Sequence, residues 1–178
     1  MKKCLLFLIM LCFMAIGVTG CGSKEAGLYN TDGELITDWE TLMAENLWKV
    51  EDGVLLSIGD SDREMGVGKL VIPNNVTSIG EKVFKEWDGL MGVEIPDSVT
   101  SIGLGAFREC LSLSSVEIPD SVTIIEEDAF KECGSLTNLE IPDSVTRIGK
   151  SAFKKVPLVI YNGSAEGSPW GAEEIRQE

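Results

Sequence analysis

Six carboxylates of this chain fall on two columns of constant pitch. Glu94, Glu117 and Glu140 follow one another at 23-residue intervals, and so do Asp97, Asp120 and Asp143. Paired carboxylates can perform general acid–base chemistry on a glycosidic bond, but only when two of them sit in different environments within a cleft. Equivalent carboxylates repeated at one spacing give the opposite arrangement, two ladders of like charge. Such a ladder gathers cations or a basic partner, or it forms a solvated outer face in which the aspartates serve their turns. Both readings fit the spacing. Hard cations take oxygen ligands, yet no dedicated calcium loop is present and no metal site is expected. The chain has no histidine, which removes the commonest general base and the commonest neutral metal ligand. No nucleophile motif and no phosphate-cradling loop is present, so the reading is non-enzymatic, with no catalytic residues and no cofactor.

The elements that must position these carboxylates are repeats. The heptapeptide EIPDSVT occurs at Glu94–Thr100, Glu117–Thr123 and Glu140–Thr146. Four units align without a gap as Leu70–Gly92, Val93–Ser115, Val116–Asn138 and Leu139–Tyr161. Pro73, Pro96, Pro119 and Pro142 share one column, and Phe84, Phe107, Phe130 and Phe153 share another. Ile72, Ile95, Ile118 and Ile141, with Val76, Val99, Val122 and Val145, hold two more. Apolar–polar alternation up to each isoleucine predicts a short half-buried strand. The following proline has no N–H to give a ladder, so the strand stops there. Pro-Asp-Ser predicts a turn, with Asp and Ser side chains able to bond nearby amides. Val-Thr-x-Ile predicts a second extended piece. Gly80, Gly103 and Gly149 follow it, at a position needing positive φ or close backbone approach, although Glu126 stands there in the third unit. The phenylalanine is expected in a helical or 3₁₀ turn with its ring inside. One such unit cannot bury its apolar columns, whereas stacked units bury them continuously.

The pattern L-x-x-[VL]-x-I-P-D-S-V-T-x-I-G-x-x-A-F-x-x-C resembles the BspA-type leucine-rich repeats of bacterial surface proteins over residues 67–161. The resemblance implies a mostly β leucine-rich-repeat solenoid of four 23-residue units, and a surface or adhesion role exercised by binding proteins. It also implies an inward-pointing column for Cys110 and Cys133, where Trp87 and Val156 stand in the outer units. Those apolar substitutes favour a buried thiol pair. Strand spacing of about 5 Å remains compatible with a disulfide.

The flanks read as caps. Residues 27–69 are expected to form an N-terminal cap: a hairpin around Asn30-Thr31-Asp32-Gly33, a helix opened by a Thr37–Glu40 capping box and running to about Trp48, and a hairpin broken at Asp52-Gly53. The helix would turn Trp39, Leu42, Met43 and Leu47 inward. Gly59–Gly66 reads as a polar loop. Residues 162–178 are expected to close the stack with a short helix begun by Ser168 and Pro169.

Residues 1–20 read as a leader, with Lys2 and Lys3 before the apolar run Leu5–Val18. That run is short for a membrane span. Val18-Thr19-Gly20-Cys21 resembles the lipobox of bacterial lipoproteins, which implies cleavage before Cys21 and lipid on that cysteine. Residues 21–26 would then be a tether. Losing the leader takes the formal charge from −14 to −16, which excludes nucleic acid as a partner because such affinity rests on basic residues. The membrane partner is the one reached through lipid on Cys21. Together these readings predict a lipid-anchored interaction or adhesion module on the outer face of a bacterial membrane, its partner an unidentified protein or envelope component. The alternatives are a local envelope scaffold and a small-ligand-binding lipoprotein.

Overall fold

The computed structural model describes residues 25–44, 48–58, 68–165 and 170–176. The leader, Cys21, the loop Gly59–Gly66 and the Ser168-Pro169 pair lie outside the described residues, as does Leu47.

Each repeat contributes two short strands to two parallel ladders. The first ladder takes β5 (Lys69–Val71), β7 (Gly92–Glu94) and β9 (Ser115–Glu117), in the register Leu70↔Val93↔Val116. The second takes β6 (Ser78–Ile79), β8 (Ser101–Ile102), β10 (Ile124–Ile125) and β12 (Arg147–Ile148). On the side of the first ladder, β11 (Leu139–Ile141) pairs with β13 (Leu158–Tyr161), and β13 pairs with β14 (Glu174–Arg176).

The turn between the two ladders shows why the heptapeptide recurs. Each proline carbonyl accepts the amide of the valine three residues on, as in Val99 N to Pro96 O at 3.0 Å and Val122 N to Pro119 O at 3.0 Å. Each serine hydroxyl then donates to the preceding coil: Ser98 to Val76 O at 2.6 Å, Ser121 to Val99 O at 2.7 Å, Ser144 to Val122 O at 2.9 Å. Thr100, Thr123 and Thr146 each donate their amide to the threonine carbonyl, or its equivalent, one coil earlier at 2.9 Å. The same three bonds thus recur at equivalent positions of successive coils, so one sequence satisfies the backbone of coil after coil. The aspartates of these turns make no side-chain hydrogen bond among the described residues. That corrects the expected bonding of nearby amides by Asp and Ser: the proline carbonyl closes the turn, and the serine hydroxyl ties it to a carbonyl of the coil before.

The interior is a stack of rings. Phe84–Phe107, Phe107–Phe130 and Phe130–Phe153 lie 4.9, 5.1 and 6.0 Å apart between centroids, all nearly parallel. Trp48 closes the stack at its N-terminal end, edge-on to Trp87 at 6.2 Å and tilted on Phe84 at 6.0 Å. The phenylalanines sit in hydrogen-bonded turns, not in a helix. The reason is left-handed backbone at two places per coil: Lys82, Gly105, Asp128 and Ser151 in one column, Glu86, Glu109, Glu132 and Lys155 in the other, with φ from 55° to 65°. No helix passes through such positions. The glycine column needs close approach, and its φ is not positive. A Cβ on Gly103 would lie 2.7 Å from Ile79 O, and one on Gly149 2.2 Å from the amide nitrogen of Glu127.

The N-terminal cap pairs with both ladders. β1 (Gly27–Tyr29) and β2 (Leu35–Asp38) form the expected hairpin, and β1 joins β5 in antiparallel register. β3 (Lys49–Glu51) and β4 (Val54–Ser57) form the second hairpin, whose turn has positive φ at Asp52 and Gly53, and β4 joins β6. Between them α1 spans Trp39–Ala44. Its cap is Asp38, whose carboxylate accepts the Thr41 amide at 2.8 Å. The capping bond comes from Asp38 and not from Thr37, so the cap stands one residue later than the capping-box pattern predicts. Leu42 is buried and Met43 packs on the core, as expected. The closing element at the other end is corrected: Trp170–Ala172 carry no helix, and the stack ends in the strand β14. The amide of Phe153 bonds Trp170 O at 2.9 Å, so an extended segment meets the donor that a further coil would meet.

Candidate interaction face

The first ladder places the residues that precede the isoleucine column in register, with Val71 buried and Glu94, Glu117 and Glu140 at least partly exposed. Val71 lies opposite Glu94, and Glu94 opposite Glu117. Glu140 lies opposite Ile160 on the next strand. The residue two beyond each isoleucine is Asn74, Asp97, Asp120 or Asp143, every one of them exposed. The two carboxylate columns therefore run along one face, separated by the rings of Pro96 and Pro119.

Two depressions follow this face. The larger, about 720 Å³, is lined by Glu94, Asp97, Glu117 and Asp120, together with Ile95, Pro96, Ile118 and Pro119. The second, about 470 Å³, shares Glu117 and Asp120 with the first and adds Glu140. Asp143 stands apart from these five: it lines a third depression with Thr146, Arg147 and Ser164. Five of the six predicted residues are thus brought together. Proline and isoleucine walls were legible only as strand-stop and core positions, and their share in a groove follows from the stacking.

The electrostatics are uneven. Lys69 Nζ reaches Glu94 at 2.7 Å, which neutralises the first rung of the glutamate column. Among the described residues, Glu117, Glu140 and the three aspartates have no ion pair. Three cations of the phenylalanine turns pair away from the face: Arg108 with Glu109 and Asp128, Lys131 with Asp128 at 3.0 Å, Lys155 with Glu132 at 3.2 Å. No cluster of three or more metal-ligating side chains occurs among the described residues.

The start of the described N-terminal segment lies beside this groove. Ala26 lines the larger depression. Tyr29 donates its hydroxyl to Glu25 O at 2.6 Å, and burial, with Glu25 and Glu94 near it, pushes its phenol pKa up. Cys110 and Cys133 are buried and free of a disulfide, with each thiol donating to the phenylalanine carbonyl of the preceding coil at 3.0 Å.

The sequence matches the BspA type leucine-rich repeat region, in six copies across residues 63–166, more than half of the chain. This chain belongs to the BspA-type leucine-rich repeat family. A leucine-rich repeat protein from Bacteroides capillosus is similar in structure, with a TM-score of 0.53, 29% identity, and 74% of this chain and 92% of that one covered. A leucine-rich cell surface protein from Faecalibacterium prausnitzii gives 0.61 at 25% identity, covering 74% of this chain and 37% of that one. The pneumococcal vaccine antigen PcpA shares the fold, with a TM-score of 0.59 at 21% identity over 71% of this chain and 34% of its own. This BspA-type chain therefore spans little more than a third of the Faecalibacterium and pneumococcal proteins. No curated protein matches the sequence. Leucine-rich repeat proteins of this kind generally bind other proteins and are generally not enzymes, and this chain is a repeat protein for protein interaction.

Proposed function

We propose that this BspA-type protein is a non-catalytic, lipid-anchored interaction module of the bacterial cell envelope, and that its partner binds along the carboxylate face. The observation that carries the reading is the groove lined by Glu94, Asp97, Glu117 and Asp120, of which only Glu94 has an ion pair among the described residues. A row of unneutralised carboxylates beside isoleucine and proline walls fits a basic, partly apolar protein segment, because unpaired charge steers an oppositely charged partner while the walls give it area. The partner is a protein or an envelope component of that chemistry.

The anchor is Cys21, on the strength of the lipobox pattern. Five extended residues, 22–26, reach about 17 Å, so lipid on Cys21 would hold the groove close to the membrane. This short reach favours a partner within the envelope, as a local scaffold would have. The adhesion reading draws on the description of the Faecalibacterium relative as a cell surface protein. A small-ligand role has less support, since the groove lies along repeats and not in a cleft between lobes.

Protease shaving of intact cells separates the two leading readings, with a lysed sample showing that the domain is cleavable. Loss of the domain from intact cells supports a surface partner; full protection overturns adhesion and leaves the envelope role. Anchoring is tested by radiolabelled fatty acid, which should enter the wild type and not Cys21→Ser. Crosslinking in cells should then capture a partner with the wild type, and several-fold less with Glu94→Gln, Glu117→Gln and Glu140→Gln combined. Equal capture would move the binding site off this face.

A further inference from the structure

Hydrogen-bonded strand pairing on the carboxylate face is continuous from β2 to β9 and again from β11 to β14. Between β9 and β11 there is none among the described residues, although the strands are neighbours. The other ladder crosses the same boundary intact. Ile124 pairs with Arg147 and Ile125 with Ile148, the Thr146 amide bonds Thr123 O at 2.9 Å, and the Gly149 amide bonds Ile125 O at 2.7 Å. The ring stack also continues, with Phe130 and Phe153 at 6.0 Å. The third and fourth coils are therefore joined on one side and unpaired on the other.

The charges at this boundary differ from those at every other rung of the face. Opposite Glu94 stands Val71 on one side and Glu117 on the other, and Lys69 neutralises Glu94 at 2.7 Å. Opposite Glu140 on its far side stands Ile160. Only Glu117 and Glu140 follow one another along the column with no cation on either, among the described residues. Like charges facing each other across neighbouring strands destabilise their pairing. The fourth coil's strand begins at Leu139, one residue later than the pitch from Ser115 requires. The 470 Å³ depression lies over the gap and touches both glutamates.

We propose that the β9–β11 boundary is a joint in the interaction face, held open by repulsion between Glu117 and Glu140 and closed when positive charge lies between them. The intact second ladder and the ring stack serve as its hinge. A partner presenting a lysine or arginine there would draw the two halves of the face into one sheet, so binding and face geometry are coupled. The joint itself is present whether or not the face takes such a partner.

Amide hydrogen exchange on the purified full chain tests it. In the wild type, the amides of Val116–Ile118 and Leu139–Ile141 should exchange about tenfold faster than those of Leu70–Ile72 and Val93–Ile95, because local opening governs exchange. Glu140→Gln should slow the boundary amides severalfold, and Glu140→Lys should bring them level with the earlier strands. Raising the salt should move the wild type in the same direction by screening. Glu117→Gln gives an independent arm should Glu140→Lys fold poorly. Equal protection of all four strands in the wild type overturns the proposal. So does an open boundary that none of the charge changes or salt can close.

Discussion

The thiol of Cys133 donates to the carbonyl of Phe107 at 3.0 Å, across the boundary between the second and third coils. Burial first, then the neighbouring Cys110, pushes this thiol's pKa well above the ordinary 9.0. A raised thiol pKa stabilises the fold fully below the unfolded value, and that contribution is lost as pH climbs towards the folded value. Between about pH 8 and 10 the wild type should therefore lose stability by up to ~1.4 kcal/mol per pH unit from this group. Cys133→Val, with the residue that Val156 supplies in the same column, should show a shallower slope in urea melts across that range. Maleimide should label neither Cys110 nor Cys133 until the chain unfolds, since the reactive species is the thiolate.

The ring stack predicts a graded cost. Phe130 is fully buried between Phe107 and Phe153, so truncation removes contacts on both sides. Phe130→Ala should lower stability by about 4 kcal/mol and Phe130→Leu by about 1.5 kcal/mol. Chemical denaturation of both variants checks the ratio as well as the sign.

Close coil approach predicts opposite outcomes for two glycines of the stack. A Cβ at Gly149 would lie 2.2 Å from the Glu127 amide nitrogen, whereas one at Gly134 meets nothing within 4 Å. Gly149→Ala should cost about 2 kcal/mol through forced backbone shifts. Gly134→Ala should be neutral or slightly stabilising. Equal melting temperatures for the two variants would contradict this account.

The left-handed column predicts a stabilising substitution. Ser151 adopts φ 57° in the column where Gly105 adopts φ 58°. Strain of about 1–2 kcal/mol on a non-glycine residue there outweighs the ~0.5–1 kcal/mol entropy cost of glycine. Ser151→Gly should therefore gain about 0.5 kcal/mol, read as a small rise in the denaturation midpoint.

Much of this architecture was legible because repetition fixes environment. When each coil stacks on a copy of itself, an apolar column must face inward and a column of carboxylates must share a face. Phe84 to Phe153, the valine and isoleucine columns and the alignment of Glu94 with Glu117 follow from periodicity alone. The buried state of the two cysteines follows from the apolar residues that replace them in the outer coils. The two cap hairpins also carried local signatures, in the Asn-Thr-Asp-Gly and Asp-Gly turns.

What only the tertiary structure decided lies where one coil meets the next on unequal terms. The glycine column excludes a Cβ because of a carbonyl or amide more than twenty residues away, so the strand's own sequence holds no sign of it. Lys69 neutralises Glu94 across a coil boundary while no cation among the described residues does so for Glu117 and Glu140, and the ladder is broken between those two rungs. The closing strand β14 replaces the expected helix because the last coil offers a hydrogen-bonding edge on Leu158–Tyr161, and pairing with that edge outweighs a weak local helix signal. Periodicity reports what the coils have in common. Charge partners, ladder breaks and ends depend on how they differ, and those differences act only through contact.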